Sequence, residues 1–234
     1  RWIPNPIEIE NFKIAVTKIP FFMYLKNTLI IVVFSILGTL VSCPIVAYGL
    51  SKIEWPGRDF FLILIISTIM LPAQVTLIPR FIIFGKLGWI NTFKPLIVPT
   101  FLGSPFYIFL LRQFFMTIPM DLCDSARIDG ASELFIFAKI ILPLSKPILA
   151  VVTLYQFLAS WNDFFGPLIY LMNNKKYPLS LGLQEFRTTL SEGSWMDWNF
   201  FMAACTITVI PIIILFFLAQ KNFIEGIHLT GMKE

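Results

Sequence analysis

Six charged residues of both signs, Asp124, Arg127, Asp129, Glu133, Lys139 and Lys146, crowd into one segment, DSARIDGASELFIFAKIILPLSKP, with Gly130 among them and prolines at 143 and 147. Charges beside small residues suit close docking of one surface on another. They do not suit the commoner catalytic centres. The single histidine, His228, lies six residues from the C-terminus and there is no HExxH, which excludes a zinc protease or a serine protease relying on a histidine base. No GxxxxGK[ST] loop occurs, so this chain has no P-loop cradle for ATP. Cys43, Cys123 and Cys205 are widely spaced, form no CxxC pair, and read as small apolar fillers. No metal or cofactor is expected on the chain, and no catalytic residue.

The segment reads as helix, bend, helix. Pro119 suits a helix start, since its missing N–H would be unpaired there anyway. MDLCDSARID then runs to Gly130, which closes a helix end in the left-handed conformation at little cost. Ser132 is a favoured N-cap for a second helix, with Glu133 at its positive end. Ala126, Asp129 and Gly130 fall at offsets of three and four and share a face. In the second helix a period of 3.6 puts Leu134, Phe135, Ala138, Ile141 and Leu142 on one apolar stripe, expected to brace other helices. A helix lying on lipid would carry a Lys/Arg-rich polar face, against Asp124, Asp129 and Glu133. A membrane span would bury charges costing about 2.5 to 3.5 kcal/mol each. Docking and a plain solvated loop both remain open from the residues alone.

The rest of the chain must position this segment. Of 234 residues, 57% are hydrophobic and 14% charged, with mean hydropathy +0.78; soluble domains are roughly 25% charged. This is the composition of a membrane protein. The +4 net charge is scattered between apolar runs, giving no support to nucleic-acid binding. Because a crossing helix needs about 20 apolar residues, five spans are expected, at about 27–51, 60–79, 95–113, 146–172 and 198–220. The polar segment at 116–145 lies between the third and fourth. Residues 1–24 read as an extramembrane arm and 222–234 as a C-terminal tail. Lys and Arg counts on the two sides, eight against ten, do not decide orientation. The chain opens on Arg1 and not on Met, so residues upstream are expected.

DSARIDGAS followed by ILP at Ile141–Pro143 closely resembles the EAA motif of ABC importer permeases, a pattern of E-A-A, then Gly, then I-x-L-P. SWNDF at Ser160–Phe164, FLLRQFF at Phe109–Phe115 and PGR at Pro56–Arg58 are similar to the carbohydrate-importing branch, in particular to the second maltose permease. The resemblance runs from about Tyr24 to the C-terminus. It implies an all-α integral membrane protein with the type I ABC importer transmembrane fold, six spans with the first before Arg1, and a cytoplasmic coupling helix. It implies partners too: a second permease subunit, two ATP-binding subunits that carry ATP and Mg2+, and an extracytoplasmic sugar-binding protein. In that family the motif inserts into a cleft of the ATPase, which assigns coupling to Asp124, Ser125, Ala126, Asp129, Gly130, Ala131 and Glu133. Asp124-Ser125-Ala126 departs from Glu-Ala-Ala by a shorter acid and a weaker helix former. The alternative, a secondary transporter or channel, predicts ionisable residues at the membrane midplane.

Candidate translocation residues are fewer and less distinctive. Asp163 lies 17 residues from Lys146, about 26 Å along a helix at 1.5 Å per residue, so with Trp161 and Asn162 it is expected at the far interface, as an outer gate or a structural belt. Gln74 falls between Pro72 and Pro79, where broken backbone pairing must line protein or water. Ser104, Tyr107, Tyr155, Gln156, Asn199, Thr206 and Thr208 offer groups to a sugar or to neighbouring helices.

Overall fold

A computed structural model describes residues 8–191 and 198–228; the first seven residues of the expected arm and the last six of the expected tail lie outside them. Every α-helix is numbered in chain order: α1 Glu10–Lys18, α2 Phe21–Ser51, α3 Arg58–Ser67, α4 Ala73–Lys86, α5 Lys94–Ile97, α6 Pro105–Thr117, α7 Asp121–Ile128, α8 Glu133–Ile136, α9 Leu142–Leu144, α10 Lys146–Trp161, α11 Phe165–Tyr170, α12 Leu179–Ser191 and α13 Trp198–His228. No strand occurs among the described residues.

α2 is the axis of the molecule, packing on α6, α10, α12 and the turn of 3-10 helix at Val98–Leu102. Its length lets it join two cores. At one end Ala47, Tyr48 and Leu50 pack with Leu111, Phe115, Cys123, Ile136 and Ile141. At the other, Phe21, Tyr24 and Val32 pack with Phe157, Trp161 and Leu179. Between them a Cβ on Gly38 would collide with Thr100 Oγ1 and the Phe101 ring. The glycine thus lets the two backbones meet, and Ser42 Oγ donates across the contact to Thr100 O at 3.0 Å.

Three helical stretches are long and apolar enough to cross a membrane: Phe21–Ser51, Lys94–Thr117 and Trp198–Leu218. Two more candidates are bent pairs, making up to five in all. The span expected at 60–79 bends at the first of the prolines expected to break its backbone pairing: the helix turns through 98° between Arg58–Met70 and Ala73–Lys86. Pro72 has no N–H to continue the ladder and holds Leu71 extended, at φ −79° and ψ 117°. The expected 146–172 span also breaks, with α10 ending at Trp161 and α11 starting at Phe165. The long N-terminal helix starts at Phe21, inside the stretch read as an arm.

Candidate functional site

α7 and α8 form the bent, polar element anticipated between the third and fourth spans. The first helix begins after Met120 and not at Pro119. Gly130 has φ +82° with no neighbouring atom near its missing Cβ, so backbone conformation and not crowding demands glycine there. Ser132 caps α8, its Oγ accepting Phe135 N–H at 3.3 Å.

Arg127 organises the bend. Its Nε donates to Glu133 Oε1 at 2.7 Å, Nη1 to Asp124 Oδ1 at 2.7 Å, and Nη2 to Lys52 O at 3.1 Å. Tyr48 Oη donates to the other Glu133 oxygen at 2.5 Å. One guanidinium therefore ties α7, α8 and the C-terminal end of α2 together. Two further cations reinforce that end: Arg112 Nε donates to Leu50 O at 3.0 Å, and Lys52 Nζ to Ile118 O at 2.5 Å. Both groups meet carbonyls that a helix terminus leaves without partners. The Arg127 guanidinium, then the Tyr48 hydroxyl, hold the Glu133 carboxyl below its ordinary value, and Glu133 in turn raises Arg127.

The apolar stripe expected on the second helix is corrected. Leu134 is 79% exposed, and Phe135 and Ala138 also face outward, while Ile136 and Ile141 are fully buried. The cause is a wide π-helical turn at Phe137–Ile141, ahead of Pro143. Its i→i+5 bonding brings residues five apart onto one side, a phase that a 3.6 period misses. Ala126 and Ala131 are partly buried and pack against the chain's own core. What faces outward is Leu122, Ile128 (86% exposed), Leu134 and Phe135 around Asp129, Gly130 and Ser125. This apolar knob, with Arg127, Tyr48 and Lys52, was missed in the sequence. Arg127 sits in the quoted motif, yet nothing in spacing pairs it with Tyr48, 79 positions earlier.

The candidate translocation residues do not form one site. Gln74 and Asp163 line one cavity of about 710 Å3 between α4, α5 and α11, together with Arg80, Trp89 and Tyr170. Trp161 turns inward, 3% exposed and stacked on Phe157 at 5.2 Å. Asn162 Nδ2 donates to Leu158 O at 2.9 Å. Gln156 joins helices, accepting from Thr39 Oγ1 at 3.2 Å and donating to Ser160 Oγ at 2.8 Å. Tyr107 is in the core, Tyr155 meets the edge of Phe106, and the Ser104 N–H points to Cys43 Sγ at 3.3 Å. Asn199 donates to Asn11 Oδ1, and Thr206 and Thr208 to the carbonyls of Met202 and Ala204.

Helices that cross a membrane, a bent polar element at one end and a cavity beneath broken helices define a multi-pass membrane transport subunit. Residues 36–228 match the family described as the binding-protein-dependent transport system inner membrane component, and the chain belongs to that family. It is 32% identical over 98% of its length to the arabinooligosaccharides transport system permease protein AraQ of Halalkalibacterium halodurans, covering 81% of that protein. It is 31% identical over 96% of its length to the sn-glycerol-3-phosphate transport system permease protein UgpE of Salmonella typhi, again covering 81%. The fold matches a crystal structure of a bacterial ABC transporter involved in import of the acidic polysaccharide alginate. The TM-score is 0.82 at 29% identity, over 94% of this chain and 81% of that one. The chain is thus the permease component of an ABC importer, with the type I transmembrane fold.

Proposed function

We propose that this subunit forms half of the translocation pathway of an ATP-driven sugar importer and takes its power stroke through α7, Gly130 and α8. A second permease subunit completes the pathway. Two ATP-binding subunits supply ATP and Mg2+ chemistry, and an extracytoplasmic binding protein delivers the sugar. The observation that carries this reading is the pairing of an exposed apolar knob at Ile128 and Leu134 with a clamp at Arg127, Glu133 and Tyr48. A partner gripping the knob moves α7 and α8 as one body, and the clamp passes that movement to α2. Asp124, Ser125, Asp129 and Gly130 border the gripped surface, although Asp124 also serves the internal clamp.

Gly130→Val tests it. Valine resists φ +82°, so the bend distorts outside every span. Membrane insertion should persist while co-purification of the ATP-binding subunit and uptake of sugar both fall. Unchanged uptake in that variant overturns the coupling role.

A further inference from the structure

Arg80 and Asp163 stand 83 positions apart in the sequence and line the same cavity. Ala73, Leu77, Arg80, Phe84 and Leu87 follow alternating spacings of four and three, so one face of α4 forms a wall with the guanidinium at its middle. Among the described residues no hydrogen bond or ion pair holds Arg80. Asp163 keeps one oxygen on the Gly166 N–H at 3.0 Å, and its main-chain carbonyl accepts Ser180 Oγ at 2.6 Å, which fixes its place on the wall. Arg80 is exposed just past the span expected at 60–79, so its guanidinium is open to the cavity and to whatever enters it.

The geometry points to a cargo subsite belonging to this chain, one that takes a hydroxyl-rich sugar of no net charge; the inference rests on the importer reading above. The charges of the two walls cancel. A hydroxyl both donates and accepts, so a neutral sugar uses Arg80 as donor, Asp163 as acceptor and the Gln74 amide as either. An anionic sugar drawn to Arg80 instead meets the Asp163 carboxylate in the same space. Trp89 and Tyr170 add ring faces to the lining, and about 710 Å3 lies within the roughly 300 to 1,000 Å3 range of small-molecule sites.

The test uses the complete importer, with both permeases, the ATP-binding subunits and the binding protein, reconstituted in liposomes. Uptake is measured for neutral arabino- and malto-oligosaccharides and for galacturonate oligosaccharides. The wild type should carry a neutral sugar and not the uronate. Arg80→Gln and Asp163→Asn should each lower that uptake about tenfold, the loss of one charged hydrogen bond to a hydroxyl. The amide oxygen introduced by Asp163→Asn would still accept the Gly166 N–H, and Arg80→Lys should recover much of the rate. Subunit assembly should not change. Neutral-sugar uptake at the wild-type rate in both the glutamine and the asparagine variant overturns the subsite, as does wild-type uptake of the uronate in preference to neutral sugars. Failure of the assembled wild type to carry any sugar removes the sugar reading proposed above, and this one with it.

Discussion

The two ends of the molecule treat charge in opposite ways. At the coupling end Arg127 makes four hydrogen bonds within the chain, and Lys52 and Arg112 cap carbonyls of neighbouring segments. At the cavity end Arg80 makes none to a described residue. The same residue type thus does different work. On the coupling role proposed above, a joint that transmits movement must be rigid, which suits polar groups closed on each other beside exposed apolar side chains. A path that carries a polar solute must present groups that are open for exchange. The backbone follows the same division: Tyr48 and Lys52 stand at the unbroken end of α2, whereas the cavity lies under the 98° bend at Pro72 and the break before α11.

The largest expected effect comes from opening the joint. Arg127→Ala removes every bond of the clamp except Tyr48 to Glu133, at a cost of about 2 kcal/mol after allowing for the partial exposure of the pairs. Uptake by the reconstituted importer should fall at least about tenfold while ATP hydrolysis continues, because the knob at Ile128 and Leu134 is left in place. Equal losses of uptake and hydrolysis would show that Arg127 serves docking and not transmission, and the contrast between the two ends would go.

A second effect lies on the axis that connects them. Gly38→Leu should cost about 1 to 3 kcal/mol, the usual range for overpacking, since even its Cβ collides with Thr100 and Phe101. Thermal unfolding in detergent should show a lower midpoint than for Gly49→Ala, at a helical site with nothing near its missing Cβ. Equal midpoints would mean that α2 does not depend on this close approach.

How much of this was legible in the sequence follows the range of the interactions. Gly130 and Ser132 were readable because their roles are local: φ at one residue, a hydroxyl three residues from the N–H it accepts. The membrane class was readable from length and apolarity. Broken pairing between Pro72 and Pro79 was readable from the prolines but its 98° angle was not, and the π turn at Phe137–Ile141 was hidden because it changes the helical phase on which the stripe was counted. Tyr48 with Glu133, and Arg80 with Asp163, were hidden for a different reason. The packing of distant helices bonds the first pair and sets the second on one cavity, and no spacing encodes either. Trp161 was read as part of an outer gate or a structural belt, and its stacking on Phe157 in the interior was not encoded by its position.

Tyr48→Phe makes a finer cut. It deletes one hydroxyl, leaves the ring against Phe137, and leaves Arg127 on Glu133. About 1 kcal/mol should be lost, with uptake reduced a few-fold and ATPase assembly intact. Tyr48→Phe combined with Arg127→Ala should be less than additive, since both act through one carboxylate. Strict additivity would separate the hydroxyl from the clamp.

The smallest effect is one of pH. Glu133 is held below its ordinary value of 4.5 by the Arg127 guanidinium and the Tyr48 hydroxyl. A carboxyl with a depressed native value contributes stability above its unfolded value and loses it as pH falls through the native one. The clamp is therefore charged across neutral pH, and its contribution should be lost only as pH falls below 4.5 and on through the depressed native value. Burial at the same time pushes the Cys123 thiol up, away from its reactive thiolate form. Alkylation of Cys123 in the assembled importer should accordingly be slow at pH 7 and should quicken in Arg127→Ala, where α7 is freed from α2. A labelling rate that ignores that substitution would mean that α7 is held by its apolar contacts alone, and that the charges of the coupling end are no more committed than those of the cavity.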